Sequence, residues 1–138
     1  MTAFVLDNSV TMRWCFDAGE HARADEILAV LSSSEDSAFV PIIWLYEVSA
    51  VLVRAQHSGI LKPGTAREFL DLLGDLPITV DEESERRILT NVHALAVAYR
   101  LTTYDAAYLE LALRRNMAVA TFDVELANAC KKAGVQLL

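Results

Sequence analysis

No stretch of this 138-residue chain is long and apolar enough to span a bilayer. A span needs roughly 18 such residues without interruption, and the richest segment, residues 41–53, carries Glu47 at its centre. There are two cysteines, Cys15 and Cys130, far apart and each inside an apolar helical pattern. That excludes a disulfide framework and predicts reduced core thiols in a cytoplasmic protein. Basic charge is also short. Twelve Lys and Arg against nineteen Asp and Glu leave a net charge of −7, whereas a general nucleic-acid binder carries a basic surplus. No glycine-rich phosphate loop and no Ser–His pairing is visible, and His21, His57 and His93 lack metal-ligand spacing. The N-terminus has no basic n-region, so no secretory leader is expected. Repeats, low-complexity runs and linkers are missing as well, which predicts one domain over residues 1–138.

What is present is an apolar chain, 54% of it hydrophobic. It opens on Ala3, Phe4, Val5 and Leu6, a short continuous apolar run of the kind buried in a parallel sheet. The run stops on Asp7, and Ser9 reads as the N-cap of a helix over 9–16. Further helices are predicted over 20–32, 42–58 (ending at Gly59), 65–73, 82–100, 104–115 and 124–133. A Ser-rich turn at 32–34 precedes a strand over 38–40, and strands follow over 77–80, 118–122 and 135–138. Strands alternating with helices predict a three-layer α/β/α sandwich around a mainly parallel sheet.

Most acids have ordinary explanations. Asp25, Glu26, Glu68, Asp71 and residues 82–85 suit polar faces and first turns. Glu110 and Arg114 read as a surface i,i+4 pair, and Asp81, although it ends an apolar run, reads as a cap. Four are out of place. Glu47 lies mid-helix among Ile43, Trp44, Ala50 and Val51, so its carboxyl is half-buried and needs a proton, a partner such as Arg54 or Arg13, or a metal. Asp105 heads the stripe Tyr108, Leu109, Ala112; Asp123 heads Leu126, Ala127, Cys130. Each of these two also reads as a first-turn or N-cap acid, and Asp7 as a helix cap. Together, the four reach the same edge of the sheet, beyond its strand ends, where open α/β sheets bind ligands. Converging carboxylates repel and raise one another's pKa. An oxygen-only set of this kind selects Mg²⁺ or Mn²⁺, and the chemistry that suits it is phosphodiester hydrolysis.

Four motifs in order carry a resemblance: VLDNSV around Asp7, PIIWLYEV around Glu47, LTTYDAAYLELA around Asp105 and ATFDVEL around Asp123. Together they resemble the PIN-domain ribonucleases, and more narrowly the VapC-like toxins of VapBC-type toxin–antitoxin systems. The resemblance implies an Mg²⁺- or Mn²⁺-dependent endoribonuclease without a covalent intermediate, with Asp7, Glu47, Asp105 and Asp123 as its acidic, metal-holding site. It implies that Thr121 supports the site by hydrogen bonding and that Asn8 and Ser9 stand one shell further out. It also implies an RNA substrate, a homodimer with Arg13, Arg54, Arg114 or Arg115 as candidate RNA contacts, and a VapB-like antitoxin. The antitoxin's basic C-terminal segment would suit an acidic toxin. One departure is Ala50, where many relatives carry Asn. The alternatives are a haloacid-dehalogenase-like phosphatase, which needs a second Asp where Ser9 stands, a receiver-like domain, which needs an acidic pair, and a non-catalytic interaction module of the same fold.

Overall fold

Phe4, Val5 and Leu6 are each at most 1% exposed. Successive side chains of a strand point to opposite faces, so both faces of this one must be covered. In the computed structural model, which describes residues 2–33 and 35–138, that strand (β1, Ala3–Leu6) lies inside a four-stranded sheet of order β3-β2-β1-β4. Its partners are β2 (Ser37–Val40), β3 (Ile78–Val80) and β4 (Ala118–Ala120), and every pairing is parallel. The predicted α/β/α sandwich is therefore what the chain adopts. From β1 the chain passes to β2 on one side, and β4 returns to the other. The ends of β1 and β4 thus flank the point where the connections diverge, the place such sheets reserve for ligands.

The helices are α1 (Asn8–Phe16), α2 (Ala22–Ser33), α3 (Ile42–His57), α4 (Pro63–Asp75), α5 (Ser84–Arg87), α6 (His93–Tyr99), α7 (Thr103–Arg115) and α8 (Val124–Ala133). Several expectations need correcting. Asp7, not Ser9, occupies the N-cap of α1, and Ser9 falls inside its first turn. Of the Ser-rich turn, Ser32 and Ser33 belong to α2, while Ser34 lies outside the described residues. The single helix over 82–100 is interrupted by a π-helical turn at Ile88–Val92. The wider turn spoils the apolar stripe, so Leu89 is 87% exposed while Val92 is buried. The strand over 118–122 ends at Ala120, because Thr121 and Asp123 turn their polar groups to one another. The strand over 135–138 shrinks to one parallel bridge, Leu137 to Val119.

Asp81 and Glu110 also differ from expectation. Both are buried, and one guanidinium joins them. Arg114 reaches Asp81 through Nη1 and Nη2, Glu110 through Nε at 2.9 Å and Glu83 through Nη1 at 3.2 Å. Ser84 Oγ donates to Asp81 at 2.8 Å. Arg115 adds a 3.3 Å contact to Asp81, with its guanidinium 4.8 Å from the centre of the Phe39 ring. Burial by itself would raise the Asp81 carboxyl, yet the hydrogen bonds from Arg114 and Ser84 bring it below the usual carboxylate range. This closed cluster ties the C-terminal end of α7 to the end of β3. Arg114 and Arg115 are thereby committed to structure.

Candidate active site

β1 delivers Asp7 to the sheet's ligand edge with its carboxyl buried. Its Oδ2 accepts from Ser9 Oγ and from Thr121 Oγ1, both at 2.7 Å. A hydroxyl has one proton to give, so both protons go to Asp7, and the hydroxyl oxygens remain acceptors. Ser9 Oγ takes the Phe122 N–H at 2.9 Å, and Thr121 Oγ1 takes the Asp123 N–H at 3.0 Å. One carboxylate oxygen thus fixes the first turn of α1 against the chain leaving β4. Asn8 stands beside it, and its backbone N–H favours the ionised form of Asp7. The buried side-chain oxygen of Asn8 has no hydrogen-bond partner among the described residues.

The other three acids come from three further elements. Glu47, half-buried on α3, accepts a 2.6 Å hydrogen bond from the Tyr108 hydroxyl through Oε1. Tyr108 is wholly buried on α7. Burial, then the charges of Asp7 and Glu47, drive its phenol far up, so it stays a donor. The sequence reading did not give Tyr108 a role, although its place three residues after Asp105 sets both on one helical face. Asp105 lies in the first turn of α7, where Thr102 Oγ1 accepts its N–H at 3.1 Å. Asp123 is the N-cap of α8, and its Oδ1 accepts the Leu126 N–H at 2.8 Å. The capping reading of Asp123 therefore holds for one of its two oxygens.

Electrostatics tie the four together. Burial pushes the Asp105 carboxyl up to about 7, helped by the charges of Asp123, Asp7, Glu47 and Glu125. Burial and then the charge of Asp123 raise Asp7; burial and then the charge of Asp7 raise Glu47. Among the described residues, none of the four forms an ion pair with Lys, Arg or His. A cluster of like charges that has no counter-ion among the described residues suits a divalent cation with oxygen ligands. The carboxyls are not drawn into a cage, however. Among the described residues, no three Asp, Glu, His or Cys side chains are close enough to hold an ion as they stand. Uncompensated repulsion is the physical reason to expect such spreading.

A pH dependence follows. Asp7, Glu47 and Asp105 bind protons more tightly in the folded protein than in the unfolded chain. The stability they contribute is full below about pH 4 and is lost as pH rises through their raised values, about 7 for Asp105. Asp105→Asn should melt several degrees above wild type at about pH 8 in chelator, with the difference closing towards about pH 4. Millimolar Mg²⁺ should raise the wild-type melting temperature more than that of the variant. Equal melting temperatures at both pH values would refute the coupling.

The candidate RNA-contacting arginines are placed differently from one another. Arg13 on α1 is half-exposed and pairs with Asp17 at 2.6 Å, whereas Arg54 is exposed near the end of α3. Two residues beside the acids went unread in the sequence. His21 and Phe122 stack with ring centres 4.5 Å apart. The signal available for Phe122 was its position between Thr121 and Asp123.

Residues 4–132 match the PIN domain family. Over 82 residues, 59% of this chain, the sequence is 32% identical to Ribonuclease VapC3 of Pyrobaculum aerophilum. That match spans 63% of the relative, a little under two thirds of its length. Among solved structures, PAE2754 from Pyrobaculum aerophilum superposes with a TM-score of 0.68 at 19% identity, covering 93% of this chain and 86% of that one. A chain of VapBC2 from Rickettsia felis, bound to a DNA fragment from their promoter, gives 0.69 at 10% identity, covering 99% and 98%. At such identities the two structures speak for the fold alone.

Proposed function

Because this chain belongs to the PIN-domain family, we propose that it is a metal-dependent endoribonuclease and the toxin of a type II toxin–antitoxin pair. One observation carries the chemistry. Burial and neighbouring negative charge, that of Asp123 included, raise the proton affinities of Asp7 on the end of β1, Glu47 on α3 and Asp105 on α7, and among the described residues no Lys, Arg or His pairs with any of the four acids. Asp7, Glu47, Asp105 and Asp123 would hold Mg²⁺ or Mn²⁺. Bound there, such an ion supplies a more acidic water and offsets charge on the phosphate.

The chain's own residues prepare that site. Ser9 and Thr121 fix Oδ2 of Asp7 and leave Oδ1 outside their hydrogen bonds; Tyr108 does the same for Oε1 of Glu47, leaving Oε2. Leu126 N–H occupies Oδ1 of Asp123. Each of these acids therefore keeps one oxygen outside the bonds that position it. Among the described residues, no protein hydrogen bond holds the Asp105 carboxyl, so both of its oxygens are unengaged. Hydrolysis by water, without a covalent intermediate, is the reaction such a set supports.

RNA as substrate rests on the partial match to a protein named a ribonuclease. A VapB-like antitoxin rests on the likeness to a VapBC2 chain, and the net charge of −7 suits a basic partner segment. Exposed Leu45, Tyr46 and Val53 on α3 and Ile60 after it offer apolar surface for that partner or for a homodimer. Of the four candidate arginines, Arg13 and Arg54 lie outside the cluster around Asp81 and remain available to RNA. Free thiols at Cys15 and Cys130 fit a cytoplasmic setting.

The test is cleavage of a labelled single-stranded RNA by purified protein. Mg²⁺ or Mn²⁺ should produce discrete fragments, and excess chelator should stop their formation. RNA that stays intact with every divalent ion, or is cut equally well in chelator, overturns the reading.

A further inference from the structure

Beside Asp7, and lined in part by its hydrogen-bond partner Ser9, lies an open groove of about 450 Å³. One wall is a single face of α1, with Ser9 and Arg13 four residues apart, a separation of about 6 Å along a helix. Val51 of α3 stands opposite, and His21 and Phe122 complete the lining. Both rings are half-buried, and they lie nearly parallel, with an angle of 25° between their planes.

This aromatic pair is held from several directions. The Phe122 N–H is bonded to Ser9 Oγ, the same hydroxyl that donates to Asp7. His21 Nδ1 accepts the Ala24 N–H at 3.2 Å, at the start of α2. This contact fixes the orientation of the His21 ring. A fixed imidazole ring stacked on phenylalanine is a flat platform already in place before anything binds. Among the described residues Arg13 is pledged to Asp17 alone, in a half-exposed pair, and such pairs yield readily to a competing anion.

We propose that this groove is a nucleotide subsite, in which a base of the RNA stacks on His21 and Phe122 and Arg13 takes an adjacent backbone phosphate. The inference deepens the ribonuclease reading and rests on it. Aromatic side chains receive unstacked bases of single-stranded RNA in this way, with little dependence on which base it is. The shared hydroxyl of Ser9 places the platform next to Asp7, so a base seated there sets which phosphate lies over the acids. The groove then positions the substrate, and the carboxyls act on it.

Binding of a short fluorescent single-stranded RNA, measured by anisotropy in chelator, tests the groove independently of turnover. Phe122→Leu should weaken binding about tenfold or more, and Phe122→Tyr should restore it. His21→Asn keeps a capping side chain but removes a ring, and should weaken binding by a smaller factor. Arg13→Gln should lower the salt dependence of binding. With Mg²⁺, the two ring variants should raise KM and leave kcat within about twofold. Abasic substitution scanned along the RNA should find one position at which wild type and Phe122→Leu become equal. Unchanged affinity and KM in folded Phe122→Leu and His21→Asn overturn the subsite while leaving the nuclease in place. Wild-type protein that binds RNA but never cuts it overturns the nuclease instead.

Discussion

Asp7→Asn should cut RNA on the order of 10²- to 10⁴-fold more slowly than wild type while melting at the same temperature or higher. The asparagine oxygen still accepts from Ser9 and Thr121, so the link between α1 and the chain leaving β4 survives. What disappears is a buried negative charge that Asp123 repels and that burial already disfavours. Residues kept for chemistry at the expense of stability behave in this way. Initial rates on labelled RNA and thermal melts in chelator give both halves of the prediction. A variant that cuts at the wild-type rate removes Asp7 from the chemistry, and one that melts far below wild type shows its charge to be structural.

Arg114→Met should have the largest effect on stability. The side chain is 15% exposed, and it faces Asp81 at 0%, Glu110 at 5% and Glu83 at 49%. Removing the guanidinium leaves two buried carboxylates, of which Asp81 keeps Ser84 and Arg115 while Glu110 loses its ion-pair partner. Breaking one side of such a buried pair costs about 3–5 kcal/mol, which lowers the melting temperature by about 10 °C or more in a domain of this size. Asp81 has a lowered proton affinity, so its contribution is present above about pH 4 and is lost as pH falls further. The variant should therefore lose most stability near neutral pH and less in acid. At low temperature, where it remains folded, its cleavage rate should stay near wild type, since Asp81 and Glu110 take no part in the acidic pocket. A loss below about 1 kcal/mol would mean that the cluster is well hydrated.

The parts of the fold that were legible are those where local pattern and tertiary placement agree. Ala3 to Leu6 reads as a buried strand because both faces of it are covered, and Asp7 stands out because it ends that run. Glu47 was legible from its apolar neighbours and is half-buried. The rest turned on distinctions that periodicity does not carry. A Glu–Arg pair four residues apart looks the same on a solvated helix as in the buried cluster around Asp81. The π-helical turn at Ile88–Val92 leaves no mark in a stripe read at 3.6 residues per turn. Ser9 resembles a cap whether its hydroxyl meets a backbone N–H of its own helix or, as here, the carboxylate of Asp7. Phe122 looks like one more strand residue until the ring stacked on it is seen to be that of His21.

The register of β1 with β4 has a consequence for the order in which the molecule is made. Phe4 pairs with Ala118, and the hydroxyl of Thr121 reaches back to Asp7. The first strand emerges from the ribosome long before its second partner, and closing so large a loop is slow compared with forming local helices. During translation the polypeptide therefore carries Asp7 and Glu47 without Thr121 or Asp123, and a half-made chain has no complete acidic pocket. The acidic edge is thus the part of the molecule completed last, when the chain beyond β4 closes onto the first strand.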